Sequence, residues 1–133
     1  MQVFISYSQQ DEDWASKIRK VLEKEGLDVW DDREILPGDN WAAKVSEALQ
    51  ESEAMVVLLS HNSLSSNNVR REIEYALGEK QYKDRLIPVI VGERQNLTEE
   101  GVPWILRKKI ISLPEHGEEE SIKQIAHALM SAA

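Results

Sequence analysis

The chain of 133 residues contains no cysteine, one phenylalanine and no long apolar stretch. The absence of cysteine excludes disulfide bonds and thiolate zinc sites, and it agrees with a reducing compartment. No stretch approaches the roughly 20 apolar residues that are needed to span a bilayer, and the N-terminus lacks the basic, apolar and small-residue order of a signal peptide. We therefore expect a cytoplasmic protein without a membrane partner.

Positive charge is also scarce, since 16 Lys and Arg residues stand against 24 Asp and Glu residues and leave a net charge of −8. A general nucleic-acid binder needs clustered Lys and Arg to neutralise phosphates, so no nucleic-acid partner is expected. His116 and His127 have no partner residues at ligand spacing, which argues against a metal site. A chain of this length with 41% apolar residues predicts one domain over residues 1–133, built on a single core.

An apolar run at Met55–Leu59 is the most informative segment that the chain does contain. A run that is apolar at every residue is typical of a parallel strand covered on both faces. A polar loop at 60–66 follows, and open α/β sheets place their ligands at this carboxyl end of the strands. The next helix carries an apolar stripe of Val69, Ile73, Ala76 and Leu77. At about 100° per residue Glu72 falls at the edge of this stripe, so we expect it to be half buried.

Four more strands and three more helices are predicted from similar patterns. The strands are Gln2–Tyr7, Leu27–Trp30, Arg85–Val91 and Lys109–Leu113. Pro88 normally marks an edge strand or a bulge, and Thr98–Leu106 is predicted to be irregular or a short helix. The helices begin at Ser8, at Asp39 or Asn40, and at Glu118. The first of these helices is predicted to bury Trp14, Ile18, Val21 and Leu22, the second Trp41, Val45, Ala48 and Leu49, and the third Ile122, Ile125, Ala126 and Leu129. Trp30, at the end of a strand, is also expected to pack in the core.

Strands and helices alternate five times, which predicts an α/β fold with an open five-stranded parallel sheet and helices on both faces. The common order for five such strands is 2-1-3-4-5, and we expect that order here. In this order the chain reverses between the first and third strands, so a ligand crevice is expected between the loops after Tyr7 and Leu59. The loop after Trp30 flanks it. Polar residues that can line the crevice are Ser6, Tyr7, Ser8, Gln9, Ser60, His61, Asn62 and Ser63. The alternative for both loops is a capped turn between a strand and a helix.

Four segments, taken in order, resemble a Toll/interleukin-1 receptor (TIR) domain of the bacterial type. They are VFISYSQQDEDW, LDVWDDREILPGDNW, MVVLLS and VRREIEYAL. The resemblance implies a flavodoxin-like fold and one of two functions. Many TIR domains cleave NAD between nicotinamide and ribose, giving nicotinamide plus ADP-ribose or a cyclic isomer, so NAD is a substrate and no cofactor is implied. Other TIR domains are adaptors that self-associate.

The catalytic acid of enzymatic TIR domains is a Glu on the helix after the third strand, and by that motif it corresponds to Glu72. Cleavage of an N-glycosidic bond develops positive charge on the ribose, which a nearby carboxylate stabilises. The alternative for Glu72 is a solvated carboxylate near a helix N-terminus. Enzymatic members usually have a Trp four residues before this Glu, where this chain has Asn68, itself a good helix cap. The candidate substrate-binding residues are Ser6, Tyr7, Ser8, Gln9, Asp31, Asp32, Ser60, Ser63 and Asn68.

The loop at 31–40 is longer and more charged than a connection to a helix requires, and it resembles the self-association loop of the family. The interface residues that this implies are Arg33, Glu34, Ile35, Leu36, Pro37 and Gly38. Of the adjoining charged residues Asp31, Asp32 and Arg33, the two carboxylates can form ion pairs with Arg70 or Arg71 of a neighbouring copy. The alternative is a merely capped loop. We therefore expect an NAD glycohydrolase of bacterial immune and antiphage signalling that is activated by self-association, or else a non-catalytic adaptor that acts through contacts between TIR domains.

Overall fold

The computed structural model describes residues 1–91, 111–113 and 119–131. These residues form one parallel sheet whose strands are β1 (Gln2–Ser6), β2 (Asp28–Trp30), β3 (Ala54–Leu59), β4 (Leu86–Ile90) and β5 (Ile111–Ser112). The strands lie in the order β2-β1-β3-β4-β5. The predicted flavodoxin-like α/β fold and its strand order are confirmed. The prediction for Thr98–Leu106 falls outside the described residues.

Five α-helices connect or follow the strands in the described part of the chain. They are α1 (Glu12–Lys24), α2 (Trp41–Glu51), α3 (His61–Leu64), α4 (Asn67–Gly78) and α5 (Glu119–Ser131), with short 3₁₀ turns at Gln9–Asp11, Asp32–Glu34 and Lys80–Tyr82. The segment 60–66 is therefore partly helical, where a loop was predicted. No helix among the described residues is long and apolar enough to cross a membrane.

The helices cover the sheet on both faces and divide the core into two clusters. Helices α1 and α5 pack against side chains such as Val3 and Leu58 on one face, whereas α2 and α4 pack against Phe4 and Val57 on the other. All six residues of β3 are completely buried. The interpretation of the apolar run as a parallel strand covered on both faces is confirmed, because side chains of successive residues enter opposite clusters.

Two residues assigned to core stripes lie at the surface, so those two predictions are wrong. Trp41 is 42% exposed, because it is the first residue of α2 and lies over the carboxyl end of the sheet. Leu77 is 43% exposed, because it lies about 80° around the helix from Val69 at 100° per residue. The other predicted core residues of α2, α4 and α5 are buried, as are Ile18, Val21 and Leu22 of α1, while Trp14 is partly buried.

Pro88 lies inside β4, between β3 and β5, and not in an edge strand. The N–H of Val91 donates to the carbonyl of Leu59, whereas the carbonyl of Ile90 accepts from Leu113. The backbone N–H and C=O groups of successive residues in β4 thus face β3 and β5 in turn. Pro88 is two residues before Ile90, so its nitrogen faces β5. Among the described residues, β4 pairs with β5 only from the residue after Pro88. The proline therefore costs no hydrogen bond in the ladder to β3.

Candidate active site

A cavity of about 570 Å³ lies at the carboxyl ends of β1 and β3, where the strand order reverses. Open α/β sheets bind their ligands at this place. The loops after β1, β2 and β3 and the start of α4 all contribute to its lining. The lining residues are Phe4, Ile5, Tyr7, Ser8, Gln9, Gln10, Trp30, Asp32, Trp41, His61, Asn62, Ser65, Ser66, Asn68 and Glu72.

Glu72 lies in the cavity as a half-buried carboxylate. Ser6 Oγ, at the end of β1, donates a hydrogen bond of 2.6 Å to Glu72 Oε1. Burial raises the pKa of Glu72 to about 7, with the Ser6 hydrogen bond acting to lower it and the charge of Asp32 acting to raise it. The carboxyl group is therefore divided between its neutral and ionised forms near neutral pH, which is typical of groups that perform acid, base or electrostatic catalysis.

The seating of α4 explains how Glu72 reaches Ser6. Ser66 caps the helix, because its Oγ accepts a hydrogen bond of 3.3 Å from the N–H of Val69. Val69 and Ile73 are buried in the second core cluster, which fixes the rotation of the helix. Glu72 then stands at the edge of the buried stripe and faces the end of β1.

Asp32 is a second carboxylate in the cavity. The hydroxyl of Tyr7 donates a hydrogen bond of 2.7 Å to Asp32 Oδ1. Burial and this hydrogen bond raise the pKa of Tyr7, so the phenol remains a donor at neutral pH. The arrangement fixes a negative charge beside Glu72 and ties the loop after β1 to the turn after β2.

Asp31 does not reach the cavity, although it was a candidate for substrate binding. It is completely buried, and its Oδ2 pairs with Arg19 Nη1 at 2.9 Å and with Arg33 Nη2 at 2.8 Å. Burial alone raises the pKa of a carboxyl group, but the hydrogen bonds from Arg33 and Arg19 outweigh that effect and lower the pKa of Asp31. The geometry assigns Asp31 to holding the turn after β2 against α1.

The candidates on the loop after β3 separate into two groups. Ser60 and Ser63 form a capping box at the start of α3, Ser63 is completely buried, and neither residue lines the cavity. Asn68 lies in the first turn of α4 and does line the cavity, and Ser66 rather than Asn68 caps that helix. The interpretation of Asn68 as a helix cap is therefore wrong.

The candidates on the loop after β1 lie together. Tyr7, Ser8 and Gln9 line the cavity, and Ser8 Oγ donates a hydrogen bond to Gln10 Oε1. Ser6 is 1% exposed and contacts the site through Glu72.

Sequence reasoning missed the aromatic part of the lining. Trp30 stacks on Phe4 with ring centroids 5.1 Å apart, and Trp41 exposes its indole at the cavity. Both tryptophans were predicted to be core packing, and Trp30 does pack against the second core cluster while it also lines the cavity. The available signal was their position, because Trp30 ends a strand and Trp41 follows the cap Asn40 directly, and both places lie at the carboxyl edge of a parallel sheet.

Comparison with known families decides what kind of domain carries this cavity. The family model described as "TIR domain" matches residues 3–131. The chain belongs to the TIR domain family. The resemblance that the four sequence segments carry is confirmed over nearly the whole chain.

The TIR domain is also similar to individual proteins. It is 26% identical over 90 residues to the probable 2′ cyclic ADP-D-ribose synthase TcpO of Methanobrevibacter olleyae. The matched region covers 66% of this chain and 26% of that protein, so the chain spans about a quarter of the length of this relative. A metazoan TIR-STING receptor from C. gigas, in complex with 2′,3′-cGAMP, superposes with a TM-score of 0.78 at 25% identity, over 96% of this chain and 38% of the receptor. The TIR domains of the activated Roq1 resistosome, which recognises the effector XopQ, superpose with a TM-score of 0.71 at 19% identity, over 95% and 97% of the two chains. That last likeness shows the fold alone.

The loop at residues 31–40, which was predicted to form an interface, has two parts. Arg33 and Glu34 are held within the chain, by Asp31 and by a 2.5 Å contact from Glu34 Oε1 to Arg19 Nη2. Ile35 packs against the second core cluster. The exposed tip consists of Leu36, which is 66% exposed, Pro37, and Gly38 with its positive φ of 93°. Asp31 and Arg33 are thus already paired inside the chain, and the tip presents an apolar side chain instead.

Proposed function

We propose that this TIR domain is an NAD glycohydrolase. It cleaves the bond between nicotinamide and ribose and releases nicotinamide together with ADP-ribose or a cyclic isomer, as part of immune signalling in the cytoplasm of a bacterium. The observation that carries the proposal is Glu72, a half-buried carboxylate held by Ser6 in a cavity of about 570 Å³.

The chemistry of the bond explains why one carboxylate is enough. As the N-glycosidic bond breaks, positive charge develops on the ribose, and a negative charge fixed beside it stabilises the transition state. Nicotinamide leaves as a neutral molecule, so no proton has to be supplied to it. The ionised form of Glu72 is the active one, and a pKa of about 7 leaves a substantial fraction ionised at neutral pH.

The composition of the cavity suits a dinucleotide. Its volume lies within the range of about 300 to 1,000 Å³ that is usual for small-molecule sites. The exposed indole of Trp41 offers an aromatic surface for a base, while Ser8, Gln9 and Asn68 offer hydrogen-bonding groups. The name of the Methanobrevibacter relative, a probable cyclic ADP-ribose synthase, supports the same substrate class.

The test is NAD consumption and nicotinamide release by the purified protein at high concentration, compared with Glu72→Gln. Gln preserves the shape of the side chain and removes its charge, so we expect turnover to fall by about 100-fold or more. Glu74→Gln is the matched control, because Glu74 is an exposed carboxylate on the same helix. Turnover that survives in a folded Glu72→Gln protein would show that another group carries the reaction.

A non-catalytic adaptor is the second candidate function. The exposed loop tip at Leu36 favours it, because a leucine side chain with 66% exposure gains free energy when a contact with another copy buries it. Asn68 also favours it, since enzymatic TIR domains usually have a Trp at this position. Assembly of the parent protein without any NAD turnover would support the adaptor.

A further inference from the structure

Asp11 occupies the N-cap position of α1 but does not cap it. An aspartate at this position usually accepts a hydrogen bond from the first turn of its own helix, and among the described residues the Asp11 side chain makes no such bond. Its carboxylate instead accepts a hydrogen bond from Ser60 Oγ, 49 residues further along the chain. Asp11 is 8% exposed. The Asp11 side chain thus makes a buried contact with a distant residue in place of the usual cap on its own helix.

The contact between Asp11 and Ser60 joins two segments that diverge. After β1 the chain passes to α1 on one face of the sheet, and after β3 it passes through α3 to α4 on the other face. This divergence opens the cavity. A second side-chain contact, from Ser6 to Glu72, also joins these two parts of the chain. Asp11 and Ser60 therefore form another link between these two segments, in addition to the link from Ser6 to Glu72.

Ser60 passes the restraint on to α3. Its Oγ also accepts a hydrogen bond of 3.1 Å from the N–H of Ser63, and its own N–H donates to Ser63 Oγ at 2.8 Å. The next two residues, His61 and Asn62, line the cavity. Asp11 itself does not appear among the described lining residues. Through its side chain, Asp11 can therefore act on a ligand by way of Ser60 and α3.

We propose that Asp11 is a positioning residue, which through Ser60 fixes α3, and with it His61 and Asn62, at the distance from the loop after β1 that the substrate requires. The inference rests on the proposed function and adds a device that shapes the same site. Burial raises the pKa of the Asp11 carboxyl group, and the hydrogen bond from Ser60 partly offsets that rise. Removing either partner leaves the other with an unmatched polar group in a largely buried place.

The experiment measures kcat and KM for NAD in the parent, Asp11→Ala, Ser60→Ala and the double variant. We expect each single variant to raise KM by about tenfold, the size of losing one charge-assisted hydrogen bond, with a smaller change in kcat. Ser60→Ala should be the more severe single variant, because it also removes the cap on the N–H of Ser63, and the double variant should be no worse than Ser60→Ala, since the contact between Asp11 and Ser60 is already lost there. Asp11→Asn keeps an acceptor oxygen for Ser60 and should stay near the parent. Asp13→Ala, at an exposed residue in the first turn of α1, is the matched control.

The outcomes separate this inference from the proposed function. If the parent turns over NAD and the Asp11→Ala and Ser60→Ala variants keep its KM, the inference is overturned and the glycohydrolase stands. Additive effects of the two substitutions, or loss of thermal stability with KM unchanged, would also overturn it, because they indicate a merely structural contact.

If the parent turns over nothing, amide exchange in α3 decides the inference. Faster exchange at the amides of Ser63 and Leu64 in Asp11→Ala, with the parent rate in Asp11→Asn, would support the positioning of α3 by Asp11. Unchanged exchange in Asp11→Ala would overturn it.

Discussion

At the scale of single residues, the cavity is governed by two carboxylates that the fold holds near each other. Ser6 fixes Glu72 and Tyr7 fixes Asp32, each through one hydrogen bond. Burial is the main reason why the pKa of Glu72 is about 7, and the charge of Asp32 adds to the rise. Asp32 thus affects the protonation of Glu72 without touching it.

We predict that kcat/KM for NAD increases as the pH rises through about 7, because ionised Glu72 is the active form. Asp32→Asn removes a neighbouring negative charge, so it should move the midpoint of this profile to lower pH. The measurement is a profile of kcat/KM against pH for the parent and the variant. A midpoint that stays in place or moves upward in Asp32→Asn would contradict the electrostatic coupling.

Asp31 gives a prediction about stability. Its pKa is lowered from the ordinary value of 3.8, so its ionised form is favoured in the folded state. The stabilisation is fully present above that ordinary value and is lost as the pH falls below it toward the depressed folded pKa. Asp31→Asn should reduce the free energy of unfolding at neutral pH by about 2 kcal/mol, since Arg19 and Arg33 retain some exposure to solvent.

The measurement for Asp31 is urea unfolding at neutral pH and in acid. The difference between parent and Asp31→Asn should shrink in acid, where the parent carboxyl is protonated as well. Asp13→Asn, at an exposed position, should match the parent at both pH values. A difference that is as large in acid as at neutral pH would exclude the ionic explanation.

At the scale of secondary-structure elements, α4 connects packing to the site. Its buried stripe of Val69, Ile73 and Ala76 determines which way the helix is rotated, and Ser66 determines where it begins. Glu72 is placed by both. The capping interaction therefore affects stability and the position of the carboxylate together.

Ser66→Ala should lower the free energy of unfolding by about 1 kcal/mol, because the N–H of Val69 loses its acceptor. Ser66→Asp supplies another acceptor and should recover most of the loss. Urea unfolding of the three proteins provides the measurement. If alanine and aspartate behave alike, the cap contributes nothing at this helix.

At the scale of the whole molecule, the strand order places three loops at one end of the sheet. The loops after β1 and β3 enclose the cavity, and the loop after β2 supplies both Asp32 to the cavity and the exposed Leu36 to the surface. A contact made by Leu36 with another copy would therefore act on a loop that also lines the site. This connection is the physical basis for proposing that self-association activates the domain.

We predict that turnover per molecule rises with protein concentration and that Leu36→Ser requires about tenfold more protein for the same turnover, because burying a leucine side chain stabilises a contact. Leu77→Ser is the matched control, since Leu77 is an exposed leucine at the end of α4. Light scattering and NAD turnover are measured on the same samples. Turnover that is independent of concentration in the parent would contradict activation by assembly.

The fold and much of the cavity could be predicted from the sequence, because buried faces of helices and strands require apolar residues at a regular spacing. The uninterrupted apolar run of β3 predicted that both of its faces are covered. The alternation of strands and helices predicted a parallel sheet, for which 2-1-3-4-5 is a common strand order. That order located the cavity, and the stripe of α4 placed Glu72 at its edge. The burial of β3 and the position of Glu72 follow from spacing along one element, which the sequence displays directly, whereas the cavity was located from the common strand order of such sheets.

The partners of individual polar and aromatic side chains could not be predicted from the sequence, because they depend on how distant segments pack. Asp31 and Asp32 are adjacent and chemically alike, but the backbone at Asp31 is extended, so one carboxylate enters an ion-pair cluster and the other enters the cavity. Trp41 was expected in the core and lies at the cavity instead. Asp11 accepts a hydrogen bond from Ser60 and does not cap its own helix. The sequence specifies which side of an element a residue occupies, but its contacts depend on segments that folding brings together from far along the chain.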